Sequence, residues 1–142
     1  MKKKIIRKNK KTRYGKVIFN SKTLERHEER TLFRLADFGF IVETVPPSNI
    51  PRSKNPDIVM EGTFWEIKGQ ISLNEKTITT KFRKAVKQSG GRAIFDLCEA
   101  RGDTAKTVKH IENLFTSTRG MRRVMIMLMD KDSSEIIIDI TK

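Results

Sequence analysis

Apolar and polar positions along the chain follow two different periods. Period-two or near-continuous apolar runs occupy residues 40–45, 57–60, 63–69, 92–97, 124–129 and 135–140 and predict strands. Apolar positions three and four apart predict helices from Ser21 or Thr23 to about Phe38, over 77–89 and over 104–116. Ser21 is placed to cap the first helix and Gly39 to stop it, while Gly90-Gly91 close the second. Pro46-Pro47 end the first of these strands, and a loop with Pro51 and Pro56 follows. Residues 15–19 permit one more short strand. The order is α-β-β-β-α-β-α-β-β, an α/β (α+β) architecture with one mixed sheet flanked by helices. The runs at 92–97, 124–129 and 136–140 are apolar enough for strands covered on both faces, the last two forming a hairpin about residues 130–134.

The first helix carries an anomaly. At about 100° per residue, Leu24, Thr31, Leu32, Leu35 and Phe38 share a face. Glu28 lies in the middle of that face, with Glu25 and Glu29 on its flanks. A carboxylate in an apolar stripe is costly unless something pairs with it. An acid near a helix start also favours the macrodipole wherever it points.

Charge divides the chain. The net charge is +13, and residues 1–22 contain ten Lys and Arg and no acid, so 13 − 10 leaves +3 for residues 23–142. The expectation is a basic N-terminal arm, 1–22, on a single domain, 23–142. The longest apolar run, Val124 to Met129, has six residues, against about 20 for a membrane span. The basic start lacks the following apolar stretch of a secretory signal. The single Cys98 excludes an internal disulfide framework and a multi-cysteine zinc site.

Candidate chemistry lies in the first hairpin. With Glu61-Gly62 as a two-residue turn, Met60 faces Thr63, Val59 faces Phe64, Ile58 faces Trp65 and Asp57 faces Glu66. Directly opposed residues share one face with Cβ atoms about 5 Å apart, and alternation puts Lys68 on that face too. Ile58, Met60, Trp65 and Ile67 turn the other way, into the core. Paired carboxylates repel unless a proton or metal neutralises them, and such oxygen ligands suit Mg²⁺ or Mn²⁺. With a lysine beside them, the set is suited to activating water and shielding charge on a phosphodiester. Glu28 is placed to complete the metal shell, and packing of the first helix on the hairpin face would explain its burial.

Pro56-Asp57, eight further residues and Glu66-Ile67-Lys68 resemble the motif of the PD-(D/E)xK nuclease superfamily. More narrowly, Pro56-Asp57-Ile58-Val59, Phe64-Trp65-Glu66-Ile67-Lys68, Lys84-Ala85-Val86-Lys87-Gln88-Ser89 and Ala93-Ile94-Phe95-Asp96-Leu97 resemble the CdiA C-terminal domain family, the tRNA-cleaving toxin domains of contact-dependent growth inhibition. The similarity covers roughly residues 23–140. It implies a restriction-endonuclease-like PD-(D/E)xK core, tRNA as substrate, and Asp57, Glu66 and Lys68 as catalytic residues. Glu28 would be the helix-borne acid and Gln88 a substrate contact. It also implies action in the cytoplasm and, for a toxin, a cognate immunity protein or antitoxin. A DNA endonuclease of phage or mobile-element origin and a non-catalytic nucleic-acid-binding module remain alternative readings, and Lys68 would act on the RNA 2′-hydroxyl if that group were the nucleophile.

Other residues carry plainer expectations. Lys81, Arg83, Lys84 and Lys87 form a cationic helix suited to phosphate backbone. Trp65 reads as core rather than a base-stacking ring, Asp96 as structural, Asp130 and Asp132 as turn residues, and His27 and His110 as surface residues. Cys98 reads as a small hydrophobe, and Met121, Met125, Met127 and Met129 as core filling.

Overall fold

The computed structural model describes residues 1–8, 15–20, 24–46, 57–69 and 72–142. Among the described residues, eight strands form one mixed sheet flanked by three helices. The strands are β1 (Lys2–Arg7), β2 (Lys16–Ile18), β3 (Ile41–Thr44), β4 (Ile58–Met60), β5 (Thr63–Gly69), β6 (Arg92–Asp96), β7 (Arg123–Met129) and β8 (Glu135–Thr141). The helices are α1 (Arg26–Asp37), α2 (Glu75–Ser89) and α3 (Thr104–Ser117). The sheet runs β1-β8-β7-β6-β5-β4-β3-β2. β5, β6 and β7 are parallel, and β3-β4-β5 and β7-β8 are antiparallel. From α1 onward the element order is the one that periodicity predicts.

The basic N-terminal segment departs from a projecting arm. β1 pairs antiparallel with β8, and β2 pairs parallel with β3, so this segment supplies both outer strands of the sheet. Lys3 reaches Glu112, Arg7 reaches Asp130 and Lys8 reaches Glu135. A run of lysines hides a strand because an edge strand has only one neighbour, and charged side chains are the usual protection of such an edge.

Helix starts also differ in detail. α1 begins after Glu25, whereas Ser21 and Thr23 lie outside the described residues. α2 begins two residues earlier than periodicity predicts because the Asn74 side chain accepts from the backbone N–H of Lys76 (2.9 Å) and Thr77 (3.4 Å).

The two faces of the sheet have separate cores. Leu32 and Leu35 of α1, with Phe38 just after it, pack on Val42, Ile58, Met60, Trp65, Ile67 and Ile94. Ile78, Phe82 and Ala85 of α2, with Ile111 and Phe115 of α3, pack on Ala93, Phe95, Val124 and Ile126. Thus β6 and β7 are covered on both sides, as their apolar runs demand. Where the chain crosses from α2 to β6, Gly91 (φ 94°) lies so close to Gly120 that a Cβ would stand 1.9 Å from its carbonyl oxygen. No described helix is long and apolar enough to cross a membrane.

The Glu61-Gly62 turn forms as read: both residues have positive φ (53° and 74°), the geometry of a type I′ turn. Arg123 ties it to the sheet. Its guanidinium bonds both oxygens of Asp139 (3.0 and 2.9 Å), reaches Glu61 (2.6 Å) and lies 5.3 Å from the centre of the Trp65 ring. Asp139 is only 2% exposed, so losing Arg123 leaves its buried charge to the more distant Lys4 ammonium at 3.9 Å. Arg123→Ala therefore lowers stability by about 3 kcal/mol, read as a fall in the urea midpoint. A midpoint equal to the parent's would show the network to be energetically idle.

Candidate active site

Two strand segments and a helix end build the site. The hairpin register is Ile58 to Trp65, Val59 to Phe64 and Met60 to Thr63, which brings Asp57 up to Glu66. One residue past the ladder, the Asp57 N–H donates to the Trp65 carbonyl at 3.0 Å. The Asp57 carboxylate accepts from the Ile67 N–H at 2.8 Å, which clamps it against the strand carrying Glu66 and Lys68. Asp57, Glu66, Ile67, Lys68, Gly69, Glu25, His27, Glu28 and Lys81 line one cavity of about 240 Å³.

Glu66 is the unusual member. It is 5% exposed, and its Oε2 is buried without a hydrogen-bond partner among the described residues. Burial raises its pKa, Asp57 beside it raises it further, and Lys68 opposes them, leaving the carboxyl pushed up to about 8. The Lys68 Nζ donates to Glu66 Oε1 (3.3 Å) and to Gln88 Oε1 on α2 (2.9 Å). Gln88, a weak candidate on type alone, thus holds the lysine from the neighbouring helix.

α1 does not pack on the carboxylate face. It covers the apolar face of the hairpin, and only its first turn reaches around the end of β5 to the cavity. Glu28 is half-buried rather than core-facing, and its Oε1 also accepts from the Glu25 N–H at 3.4 Å as a helix-start contact. The macrodipole role and the site role fall on the same side chain. Of the three competing acids, Glu25 and Glu28 line the cavity. His27, expected to be an ordinary surface residue, joins them: its Nδ1 is 3.3 Å from Glu25, and ligand atoms of Glu25, His27 and Glu28 lie within 4.8 Å of one another. Helical phase hides His27 because phase describes a helix lying side-on, and here the helix presents its end.

A hard divalent cation fits this donor set. Two adjacent carboxylates, one with an orphaned buried oxygen, supply the charge and ligand type that Mg²⁺ or Mn²⁺ takes, with further acids at the mouth.

The cationic helix divides. Lys81 lines the cavity and Gln88 touches Lys68, so Lys84, three residues from one and four from the other, lies on the same side of α2. Arg83 lies on the side of α2 away from its buried residues Ile78, Phe82, Ala85 and Ser89, and Lys87 is also exposed to solvent. Asp96 is structural: it accepts from the Thr31 hydroxyl, the Arg34 guanidinium (2.8 Å) and the Cys98 N–H (3.0 Å), holding α1 to the end of β6. Burial and Asp96 push the Cys98 thiol up, which favours its protonated form. His110 bonds the Thr79 hydroxyl (2.9 Å) between α2 and α3. Asp130 and Asp132 sit in the β7-β8 turn, where the Asp130 N–H donates to the Ser134 carbonyl.

Comparison with known proteins decides the family. The sequence profile described as "Contact-dependent growth inhibition CdiA C-terminal domain" matches residues 54–134, more than half of the chain. The chain belongs to this family. The matched span of this CdiA C-terminal domain contains the β4-β5 hairpin, α2, β6 and α3, and so carries Asp57, Glu66, Lys68 and Gln88. The first turn of α1, with Glu25, His27 and Glu28, lies outside it. The fold is similar to that in the CdiA-CT/CdiI toxin and immunity complex from Burkholderia pseudomallei, with TM-score 0.59 and 19% identity over 89% of this chain and 98% of that chain. No curated protein matches the sequence.

Proposed function

We propose that this CdiA C-terminal domain is a divalent-metal-dependent nuclease cleaving phosphodiester bonds, with RNA, and tRNA in particular, as its substrate. The observation that carries the reading is Glu66, a buried carboxylate with an orphaned oxygen beside Asp57 and hydrogen-bonded to Lys68. The resemblance of segment 56–68 to the PD-(D/E)xK motif supports the same residues, and the choice of tRNA rests on the resemblance to the toxin family.

Asp57 and Glu66 hold Mg²⁺ or Mn²⁺ in this reading, with Glu28 assisting from α1. When bound, the ion supplies Lewis-acid stabilisation and a water of lowered pKa. Lys68 presents its ammonium to the non-bridging oxygens of the scissile phosphate, where negative charge builds in the transition state. Gln88 fixes the lysine in that direction. If the attacking group is the RNA 2′-hydroxyl, Lys68 faces that hydroxyl instead. Lys81 and Lys84 contact neighbouring phosphates, while Arg83 and Lys87 add attraction at longer range.

A toxin of this kind acts where its nucleic acid is, in the cytoplasm. The related Burkholderia toxin is seen in complex with an immunity protein, which supports a cognate inhibitor for this chain as well. The deciding experiment is a parallel digest of total tRNA and plasmid DNA with Mg²⁺, with Mn²⁺ and with EDTA, using Lys68→Ala as control. The expected result is discrete tRNA fragments with either metal and none with EDTA or the variant. Cut plasmid beside intact tRNA would move the substrate to DNA. Binding without cleavage of either would leave a nucleic-acid-binding module and sink the nuclease reading.

A further inference from the structure

The face of the sheet that carries Glu66 and Lys68 is only partly covered. α2 and α3 pack over β6 and β7 on that side. Towards β2, cross-strand pairing lines up Phe64, Val59, Glu43 and Ile18 in one row on the same face, with Ile41 and Lys16 paired one step away. Among the described residues no helix core covers this row. Phe64 is 52% exposed and Ile41 56% exposed. An aromatic ring left half in water, two residues from Glu66 on the same face, is about 6.6 Å along the strand from the candidate site. That is a span on the scale of one nucleotide.

We propose that this open face is a platform for unpaired nucleobases, with Phe64 stacking on the base of a nucleotide that flanks the scissile phosphate. The inference rests on the nuclease reading and adds a preference for single-stranded or looped substrate. Charge sets the orientation. Lys68, Lys81 and Lys84 lie on the α2 side, whereas Glu43 lies on the sheet side with its carboxylate held by the Asn20 amide at 3.1 Å. Three lysines draw a phosphate backbone to the α2 side, against a single lysine, Lys16, on the far outer strand beyond Glu43, so the bases turn over β5 and β4. Stacking on an aromatic ring tolerates any base, because every base has a π-face. A base inside a paired stem has both faces stacked and cannot be offered in this way without unpairing. Trp65 plays no part: it is fully buried under α1 and its indole N–H is bonded to the Met60 carbonyl.

The test uses the full chain with Phe64→Leu and Phe64→Trp. Its probe is an unpaired RNA oligonucleotide carrying, in turn, an abasic nucleotide at each position beside the cut. Phe64→Leu should raise KM for the intact oligonucleotide on the order of tenfold, and Phe64→Trp should not. On the oligonucleotide abasic at the stacked position, parent and Phe64→Leu should become equal. Equal KM values on intact RNA would overturn the platform and leave the nuclease standing, the outcome expected if the face docks a protein instead. A loss that persists on every abasic oligonucleotide would also overturn it, as a structural effect. Should the parent leave this oligonucleotide uncut, the tRNA and plasmid digest decides the nuclease reading separately, and anisotropy binding in EDTA with the same oligonucleotides still decides the platform by the same comparison.

Discussion

Alanine at position 68 is expected to lower nucleic-acid cleavage on the order of 10³-fold without unfolding the domain. The Lys68 side chain is 11% exposed and its ammonium is held between Glu66 and Gln88. In the proposed mechanism, removing it takes away the cation nearest the developing phosphate charge. It also removes the one influence that lowers the Glu66 pKa, so the carboxyl can shed its charge by binding a proton. The fold tolerates the change for that reason, while the carboxylate needed as a ligand becomes scarcer. Residual cleavage by Lys68→Ala should therefore shift to higher pH. Gln88→Ala, which frees the lysine without deleting it, should cost about tenfold. The measurements are initial rates across pH with circular dichroism of each variant, and parental activity in Lys68→Ala would remove the lysine from the mechanism.

Glutamine at position 66 should abolish activity and raise stability. The unfolded carboxyl titrates near its ordinary 4.5 and the folded one near 8. Below pH about 4.5 both states hold the proton and burial carries no charge penalty. Between these values the unfolded state releases the proton first, so stability falls as pH rises, and above about 8 the loss is complete. The effect is on the order of a few kcal/mol. In EDTA the melting temperature of the parent should fall from pH 5 to pH 8, and Glu66→Gln should lie several degrees above it at pH 8. Mg²⁺ should restore the parent more at pH 8 than at pH 6, since protons compete for the same oxygens. Glu66→Gln should respond weakly at either pH. A parental melting temperature that rises over this range in EDTA would refute the buried-acid account.

The geometry of the hairpin was legible in the sequence because every step was local. A two-residue turn sets the register, the register sets which residues oppose, and alternation sets the face, so Asp57, Glu66 and Lys68 converge without long-range information. Element order and the doubly covered strands were legible for the same reason, since a strand buried on both sides has no polar alternation.

Tertiary structure decided what depends on a distant partner. β1 is a strand because β8 offers it an unpaired edge, and a lysine-rich run has no pattern of its own that announces this, whereas the short strand that residues 15–19 permit forms as β2 beside β3. The packing of α1 on the apolar side of the hairpin, which leaves only its first turn at the cavity, selects Glu25, His27 and Glu28 as a group; periodicity names a face and cannot name an end. The position of α2 separates Lys81 and Lys84 from Arg83 and Lys87. Phe64 reads as one more strand aromatic, and only the extent of the helix cover leaves it in water. Backbone hydrogen bonding and side-chain alternation act over a few residues and are written in the chain, whereas coverage and edge pairing are surface relations between segments far apart in sequence.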